Sequence, residues 1–475
     1  MTVMTGMSGS SRAYDAIDLS SRAFWSTTAA ERERSFVVLR AERPVSWHPP
    51  VEDALMPDPD DPGYWAVTRR ADIASVSRNN DVFLSGKGVM FENVPVELLE
   101  ASQSFLAMDP PRHTKLRKLV SAAFTPRQVR RIEDSINTNA KTIVEELKAA
   151  GSGADFVEYC AKELPIRTLS DMAGIPESER AGVAHAAEVA VSWADPEAMD
   201  GGNPLEVLFE NQVYLHQVAG ALAAERRAHP GDDLFSGLVN AEVDGERLTD
   251  ADVAAFFVLL SVAGNDTTRQ TISHALKALT DFPEQRAWLL EDFGNRIGTA
   301  IEEFVRWATP VMTFRRTAAK DFELAEQTIR AGEKVVMFYA SGNWDTEVFD
   351  RPDRFDLSRS PNPQLGYGGG GVHFCLGANV ARAQLRAIFG ELLRQLPKIQ
   401  AGEPAYVAGN FIHAIRSMPC TFYRIVSGDN SSASSVSNSE HPPSTLTVAM
   451  PSPRVRPRLT IATGLPNAAA RRTNR

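Results

Sequence analysis

Residues 367–377 read Y-G-G-G-G-V-H-F-C-L-G, and this stretch decides the fold. A helical pattern begins directly after it at Ala378, so Cys375 lies behind a glycine-rich turn and at the start of a helix. Backbone N–H groups and the positive end of a helix dipole surround a cysteine in such a position, and both favour its thiolate over the thiol. The pattern therefore predicts that Cys375 acts through a thiolate.

Three other interpretations apply to the same stretch. A phosphate-binding loop needs Gly-Lys-Ser/Thr after its glycines and a dinucleotide fingerprint needs a preceding strand, and this sequence has neither. The third, a buried cysteine that packs as a small apolar residue, stays open on these residues alone. Cys160 and Cys420 lie far from Cys375 in the sequence and form no CxxC motif with it. We therefore expect Cys375 to act without a second cysteine.

A long helix with a polar centre precedes the cysteine. The pattern over 249–281 starts at a good N-cap and stops before Pro283, which predicts about 45 Å of helix. Its apolar run over 253–264 is too short to span a bilayer and indicates a buried central helix, in which the polar residues 265–268 need partners. Gly264 weakens the helix, and a threonine that hydrogen-bonds back to a carbonyl of the preceding turn can bend it. We therefore expect the helix to open locally here. An acid and an alcohol follow this glycine in the sequence and can pass protons.

Helical patterns dominate the remaining sequence, and the strands are short. We predict helices over 117–148, 202–229, 249–281, 296–308 and 378–396, and strands over 64–67, 321–324 and 334–339. No strand alternates with helices as a parallel α/β sheet requires. These patterns predict one large, mainly α domain with small β-sheets at its edge.

Composition and charge exclude several classes of function. Of the 475 residues 43% are hydrophobic and 23% charged, which is ordinary for a folded, soluble protein. The net charge of −10 argues against general nucleic-acid binding, which needs a basic face. Residues 427–475 are rich in Ser, Pro and Thr and contain no aromatic residue, so we expect a disordered tail that is either a solvated appendage or a docking segment.

The first residues carry no targeting signal that we can recognise. Residues 1–12 are polar and small, without the apolar core of a signal peptide, and the chain has no apolar run of about 18 residues. We therefore expect a flexible segment over 1–19, no membrane anchor and a cytoplasmic protein.

The cysteine stretch resembles the haem-binding loop of the cytochromes P450. The motif G-x-G-x-H-x-C-x-G occurs here as Gly369, Gly371, His373, Cys375 and Gly377. The resemblance implies the cytochrome P450 fold, an α-rich haem-thiolate prism, over residues 20–426, with Cys375 as the axial ligand of the iron of haem b. Further similar stretches include L-A-M-D-P-P-R-H at 106–113 and F-I-H-A-I at 411–415.

The polar centre of the long helix is similar to the acid–alcohol pair of the same family. The resemblance implies that Asp266 and Thr267 are catalytic and deliver protons to dioxygen, with Ala263 against the haem. A haem protein that only senses or carries a ligand has no need of this pair, and a peroxide-driven oxygenase normally lacks it. The pair therefore favours a monooxygenase over these two alternatives.

A third motif lies between the long helix and the cysteine. Glu303 and Arg306 are three residues apart on a helix, and taken alone they indicate only a surface salt bridge. The family has such a pair, followed about fifty residues later by an arginine in a P-x-R-F turn, here Arg354. The resemblance implies that Glu303, Arg306 and Arg354 form a structural network under the haem loop.

The family also holds the two haem propionates with cationic side chains. The resemblance implies this role for four residues at matching positions: His113, Arg117, Arg316 and His373. It implies an apolar substrate pocket as well, with candidates that equally fit plain core packing: Met90, Phe91, Leu259, Ala263, Val311, Met312, Phe314 and Ile412.

Electrons must come from another protein, because no part of this chain binds flavin. The resemblance implies a ferredoxin or flavodoxin fed by a reductase. Residues 112–131 contain seven Lys or Arg and no acid, which is either a solvated helix face or a docking patch for such an acidic donor. We expect the enzyme itself to be a monomer.

The glycine run, A-G-N-D-T-T-R at 263–269 and F-I-H at 411–413 are most similar to one group within the family. These are the actinobacterial enzymes that hydroxylate terminal methyl groups of methyl-branched lipids, with the cholesterol side-chain 26/27-hydroxylases nearby. The resemblance implies a lipophilic substrate. Three residues depart from the family pattern: Tyr367 replaces Phe, Val372 replaces Pro or Ala, and Trp344 replaces Arg, which puts the local salt-bridge partners in doubt.

Overall fold

The computed structural model describes residues 12–423, except residues 95, 122–123, 196, 200, 232 and 244–245. The segment 1–11 and the predicted tail over 427–475 lie outside the described residues. The fold is mainly helical with small sheets, which confirms the predicted class. None of the described helices combines the length and the apolar character that crossing a membrane requires.

Fifteen α-helices are found in the described part of the chain. They are α1 Arg22–Trp25, α2 Ala29–Glu42, α3 Arg70–Arg78, α4 Val96–Gln103, α5 Arg112–Ser121, α6 Pro126–Ala150, α7 Glu163–Ala173, α8 Glu177–Val189, α9 Pro204–Ala228, α10 Leu234–Val239, α11 Asp250–Asp281, α12 Pro283–Glu291, α13 Phe293–Ala308, α14 Tyr339–Gly342 and α15 Ala378–Gln395. A 3₁₀ turn covers Ser104–Ala107, and a π-helical turn covers Val157–Ala161. Helix α11 packs against α4, α7, α8, α9 and α13 and is the centre of the fold.

The strands are short and form one larger sheet and several pairs. They are β1 Val45–His48, β2 Tyr64–Val67, β3 Phe83–Leu84, β4 Glu242–Val243, β5 Glu246–Arg247, β6 Thr313–Ala318, β7 Phe322–Leu324, β8 Gln327–Ile329, β9 Lys334–Phe338, β10 Gln400–Ala401, β11 Ala405–Tyr406, β12 Ile415–Ser417 and β13 Cys420–Thr421. The largest sheet has the order β1-β2-β9-β6-β3, with β2 and β9 parallel and the other pairs antiparallel. The remaining strands form two-stranded pairs.

Helix α11 forms as the sequence predicts, because its ends are chemically marked. The Thr249 hydroxyl accepts from the N–H of Asp252 at 3.1 Å, and the Asp252 carboxylate accepts from the N–H of Thr249 at 3.1 Å. This reciprocal capping box satisfies N–H groups that a helix start leaves unpaired. The helix then runs for 32 residues, about 48 Å, through the apolar interior.

The structure differs from the sequence prediction at two places. The predicted helix over 117–148 is two helices, α5 and α6, because Thr125 caps a new helix and Pro126 occupies its first turn. The segment 12–19, which the sequence assigns to a flexible region, packs on the body of the protein. There Leu19 is fully buried, and the N–H of Asp15 donates to the carbonyl of Trp47 at 2.7 Å.

Candidate active site

The glycine-rich loop before α15 lies directly against helix α3. Gly368, Gly370 and Gly371 have φ angles of +98°, +96° and +76°, a region that side chains with a Cβ rarely adopt. A Cβ added to Gly369 would overlap the hydroxyl of Ser77, and one added to Gly371 would overlap the carbonyl of that serine. The glycines are therefore required here by backbone conformation and by close approach.

The loop places Cys375 at the floor of a cavity. The N–H of Cys375 donates to the carbonyl of Tyr367 at 2.9 Å, which closes the loop, and Gly377 caps helix α15. Cys375 faces the open space of this cavity and is surrounded by protein on its other sides. The predicted surroundings are present, since the N–H groups of Gly377 and Ala378 and the guanidinium groups of two arginines lower the pKa of the thiol.

Burial outweighs these contributions, and the pKa of the Cys375 thiol lies above its ordinary value. The predicted N–H groups and cations are therefore present around Cys375, and desolvation of the sulfur in the apolar cavity acts against them. A cation at the sulfur would reverse the balance, since a coordinating thiol loses its proton outright.

The cavity is formed by the glycine loop, α11, α15 and β6. Its apolar wall is built from large side chains on several elements: Phe105, Leu106, Phe124, Leu169, Met172, Phe256, Leu259, Leu260, Val311 and Phe314. Four residues of α11 form a more polar strip on the same cavity: Ala263, Gly264, Thr267 and Thr268. Cys375 and this strip thus line one apolar chamber.

The polar strip keeps a regular helix. The Thr267 hydroxyl donates to the carbonyl of Ala263 at 2.8 Å, which is the predicted bond back to the preceding turn. Helix α11 nevertheless remains α-helical from end to end, so the predicted local opening does not interrupt it. Thr267 reaches the cavity through its own position on the helix face.

Asp266, the other member of the predicted pair, is buried and does not line this cavity. Its Oδ1 lies 3.5 Å from Nη1 of Arg269 and accepts from Nε2 of Gln270 at 3.3 Å. The same Arg269 nitrogen lies 3.0 Å from Oε1 of Glu188 on α8. Burial raises the pKa of Asp266, Glu188 raises it further, and Arg269 lowers it. The sequence did not anticipate this ion-pair cluster.

The four basic residues predicted to hold the propionates lie together at the cavity. Arg117, Arg316 and His373 line it, and the ring of His113 lies behind, 4.3 Å from the His373 ring between centroids. Arg117 donates to the carbonyl of Phe374, and Arg316 donates to the carbonyl of Arg315 at 2.7 Å. Burial, with the arginines nearby, lowers the pKa of His113 to about 4 and that of His373 to about 2.

These residues fit a flat, doubly anionic group with a metal ion at the sulfur. Three buried ring nitrogens have no hydrogen-bond partner among the described residues. They are Nδ1 and Nε2 of His113 and Nδ1 of His373. Such atoms cost free energy unless a partner arrives, and carboxylates are the natural partners of imidazole and guanidinium groups. A Cβ on Gly377 would meet no other atom within 4 Å, so the space at this glycine, which lines the same cavity as Cys375, is open.

The structure separates the predicted pocket residues into two groups. Leu259, Ala263, Val311 and Phe314 line the cavity. Phe91 and Met312 lie in a hydrophobic core cluster instead, with Phe91 packed edge-on against Tyr64 at 4.7 Å. Ile412 pairs with Val311 but lies behind it, and Met90 is also outside the lining. Phe105, Phe256 and Tyr339 also line the cavity and were not predicted from the sequence. Their sequence patterns do not differ from those of ordinary core residues.

The network around Glu303 is present, with a different third arginine. Glu303 and Arg306 are fully buried and joined by two bonds of 2.7 and 2.8 Å. Arg359 supplies the third guanidinium, with Nε 3.2 Å from Oε2 of Glu303. The side chain of Arg354 is exposed, and its carbonyl accepts from both of these arginines. The prediction for Arg354 as a side-chain partner is therefore wrong, because the turn after Pro352 points that side chain outward.

Trp344, which replaces the arginine usual in the family, packs on the same network. Its ring lies 5.3 Å from that of Trp307 between centroids, and the guanidinium carbon of Arg306 lies 5.9 Å from the Trp344 ring. An aromatic face against a buried cation is favourable without a second charge. Trp344 therefore substitutes aromatic packing for the ion pairs that an arginine would make.

Successive side chains of strand β6 face opposite sides of the sheet and make different contacts. Phe314 and Arg316 face the cavity, whereas Arg315 between them points to the other side of the sheet. There Arg315 donates to the carbonyl of Glu92 at 3.2 Å, to Oδ1 of Asn93 at 2.8 Å and to the carbonyl of Lys87. One strand thus holds the 87–93 loop and supplies a cation to the cavity.

Comparisons with known proteins agree with this geometry. The sequence model of the family described as cytochrome P450 matches residues 212–397. A methyl-branched lipid omega-hydroxylase of Mycobacterium tuberculosis is 42% identical over 410 residues, which cover 86% of this chain and 94% of the relative. A steroid C26-monooxygenase of Rhodococcus jostii is 37% identical over 402 residues, 83% of this chain and 82% of the relative.

A solved structure gives the same result. The Mycobacterium marinum cytochrome P450 CYP268A2 in complex with pseudoionone is 79% identical, with a TM-score of 0.85, and the alignment covers 87% of this chain and all of that one. The chain therefore belongs to the cytochrome P450 family of haem-thiolate monooxygenases.

Proposed function

We propose that this enzyme hydroxylates the terminal methyl group of a methyl-branched lipid or isoprenoid. The reaction takes up dioxygen, two electrons and two protons, inserts one oxygen atom into a C–H bond and releases the other as water. The observation that carries the proposal is the apolar chamber with Cys375 and the Thr267 strip on its lining. A lipophilic chain fits such a chamber, because most of its wall is formed by apolar side chains.

The cofactor is haem b, held without thioether bonds because the sequence contains no C-x-x-C-H motif. Cys375 would bind the haem iron through its thiolate, and the open space at Gly377, on the lining of the same cavity, would leave room for the group. Arg117, Arg316 and the His113–His373 pair hold the two propionates, whose negative charge supplies the partners that these buried groups lack. When bound, the haem supplies dioxygen activation, which the protein side chains cannot perform.

The side chains of the chamber do the remaining work. Large apolar residues exclude water and hold the substrate, so reactive oxygen meets a C–H bond rather than solvent. Thr267 places its hydroxyl in the chamber, where it orients the last proton donor. Asp266 is the acid that replenishes this proton, from the far side of the same helix turn.

The substrate class is supported by what similar proteins take. The M. marinum structure holds pseudoionone, an acyclic branched ketone, and the M. tuberculosis relative is named for methyl-branched lipids. A second candidate is the steroid side chain, because the R. jostii relative is named a steroid C26-monooxygenase. Both substrate classes end in a branched hydrocarbon tip that an apolar chamber can hold near Cys375.

The electron donor is proposed to be a ferredoxin with its reductase, acting on a monomeric enzyme in the cytoplasm. Helix α5 and the first turns of α6 carry the run of Lys and Arg on an otherwise acidic chain. Opposite charge on a small acidic donor would speed the encounter and orient it. Raising the ionic strength should therefore slow electron transfer more than substrate binding.

The decisive experiment is a difference spectrum of the purified enzyme with pseudoionone, branched fatty acids and 3-keto sterols. The reduced carbonyl complex is recorded first, to establish thiolate ligation. A low-to-high-spin shift with isoprenoids or branched fatty acids supports terminal lipid hydroxylation. A shift with sterols alone would replace it with the steroid candidate, and the absence of a thiolate-type carbonyl band would refute the proposal altogether.

A further inference from the structure

The ion-pair cluster behind the chamber joins two helices through one nitrogen atom. Nη1 of Arg269 lies 3.5 Å from Asp266 and 3.0 Å from Glu188, so both carboxylates share it. Arg269 and Asp266 are each 5% exposed at the side chain, whereas Glu188 is 31% exposed. The cluster therefore extends from the buried face of α11 to the surface at the end of α8.

The cluster of Asp266, Arg269 and Glu188 carries more negative charge than a simple ion pair. A buried Arg269–Asp266 pair alone would be neutral, and Glu188 adds one negative charge beside it. Oδ2 of Asp266 has no hydrogen-bond partner among the described residues, although it is buried. A buried carboxylate oxygen without a hydrogen-bond partner costs free energy while the group is ionised. Protonation of the carboxyl group removes most of that cost.

We infer that Glu188 and Arg269 are positioning residues for proton delivery: Arg269 fixes the orientation of Asp266, and Glu188 keeps that carboxyl able to take up a proton. The inference rests on the proposed role of Asp266 as the acid of the relay. It explains why α8, which supplies no residue to the chamber lining, carries an acid aimed at this arginine.

The sign of the effect follows from the charges around Asp266. Arg269 stabilises the ionised carboxylate, Glu188 opposes it, and Gln270 donates one hydrogen bond to it. On the other side of Arg269, Glu158 of the π-helical turn also acts on the guanidinium and is itself paired with Lys162 at 2.7 Å. Removing the charge of Glu188 therefore lowers the pKa of Asp266, and a lower pKa means fewer protonated molecules at neutral pH.

The test compares Glu188→Gln with Glu177→Gln, which removes the same charge from an exposed position on the same helix. Pseudoionone is the substrate, and a plant-type ferredoxin with its reductase supplies electrons. A decrease of one unit in the pKa of Asp266 changes its protonated fraction about tenfold. We expect Glu188→Gln to lose product formation to about this extent at neutral pH, to regain it at lower pH and to release more peroxide, with Glu177→Gln like the wild type.

Substrate binding and haem ligation serve as the internal controls. The spin-shift titration and the carbonyl band should be unchanged in Glu188→Gln, because Glu188 touches neither substrate nor haem. Glu188→Asp keeps the charge on a shorter side chain and should restore much of the product formation. A purely structural contribution of Glu188 would not produce this rescue together with an acid-shifted pH profile.

A double-mutant cycle with Asp266→Asn decides whether Glu188 acts through Asp266. We expect Glu188→Gln to have no further effect once Asp266 is replaced. Additive losses, or wild-type coupling of Glu188→Gln at every pH, would overturn the inference while leaving the monooxygenase proposal intact. If Asp266→Asn alone turns over like the wild type, the relay itself is wrong, and the inference is wrong together with it.

Discussion

The rings of His113 and His373 lie 4.3 Å apart between centroids, with their planes 50° to each other, although they belong to segments 260 residues apart in the chain. His113 makes no hydrogen bond from either nitrogen among the described residues, and Nδ1 of His373 makes none. Ser85 shares a hydrogen bond of 3.0 Å with Nε2 of His373. The pair is thus held by ring packing and by Ser85, while three of its four ring nitrogens have no hydrogen-bond partner among the described residues, as a site prepared for an anionic group would have.

The first prediction concerns haem retention. Replacing His113 with Phe keeps the packing but removes a donor to a propionate, and a hydrogen bond to a charged group contributes about 1.5–3 kcal/mol. Haem loss to apomyoglobin should therefore be about tenfold to a hundredfold faster. His185→Phe, at an exposed position on α8, is the control and should lose haem at the wild-type rate. Equal rates for the two variants would remove His113 from the propionate site.

The second prediction concerns the metal ligand. Cys375→Ser should abolish the thiolate-type carbonyl band, because an alcohol does not donate electron density to iron as a thiolate does. Cys160→Ala and Cys420→Ala remove the other two sulfurs from buried positions and should keep the band, at some cost in stability. Survival of the band in Cys375→Ser would contradict the assignment of the ligand.

The third prediction separates binding from proton delivery at Thr267. Thr267→Ala should leave the substrate spin shift intact while diverting reducing equivalents to peroxide, since the hydroxyl in the chamber is lost. Thr267→Ser keeps the hydroxyl and should restore most of the coupling. Peroxide and product measured per NAD(P)H consumed give the answer, and fully coupled turnover in Thr267→Ala would exclude Thr267 from the relay.

The fourth prediction compares two arginines five positions apart. Arg359→Met removes one of two guanidinium partners of the fully buried Glu303, which keeps Arg306, and should lower the free energy of unfolding by about 1.5–3 kcal/mol. Arg354→Met changes an exposed side chain whose carbonyl stays in place, so the change should be within about 0.5 kcal/mol. Urea unfolding of the two variants measures both, and the reverse order would restore the sequence-based assignment of Arg354.

The fifth prediction concerns acid stability. The His274 ring packs 4.1 Å from that of His413 and shares a hydrogen bond of 2.9 Å with its carbonyl; burial lowers the pKa of His274 from 6.5 to about 4. The unfolded chain then takes up a proton before the folded one does. Stability present above pH 6.5 is therefore lost as the pH falls towards 4, by on the order of 3 kcal/mol.

This loss is measured as the slope of unfolding free energy against pH. His274→Gln, which cannot titrate, should have a shallower slope than the wild type between pH 6.5 and 4. His185→Gln, at an exposed position, should keep the wild-type slope. A slope unchanged by His274→Gln would mean that other groups carry the acid sensitivity.

Much of the fold could be predicted because its signals are local. Helix α11 has a capping box and a proline stop, and strand β2 was predicted with its observed bounds. The helix predicted over 117–148 was wrong because apolar periodicity continues across the break, and only the Thr125-Pro126 cap marks it. Helices such as α2 and α8 were missed because their burial depends on distant elements rather than on a strong local pattern.

The residues of the candidate site could be predicted where they belong to a recognisable sequence motif. The family resemblance named Cys375, Thr267, Arg117, Arg316 and His373 from motif positions, and the structure places all five on the lining of one cavity. Their roles there stay predictions. Arg359 and Glu188 were not predicted, since each meets its partner across more than fifty residues of chain, and nothing local distinguishes it from a surface charge. Phe91 and Met312 were misplaced for a related reason: an apolar side chain on a short strand or loop can face either side.

The alternation along β6 limits how this enzyme can change by insertion and deletion. Because successive side chains of a strand face opposite sides, a shift of one residue would exchange the faces of Arg315 and Arg316. The 87–93 loop would lose its hydrogen bonds to Arg315, and the cavity would lose the Arg316 side chain, in the same event. Length variation in this region of the chain should therefore be confined to the turns on either side of β6, while the strand itself varies by substitution alone.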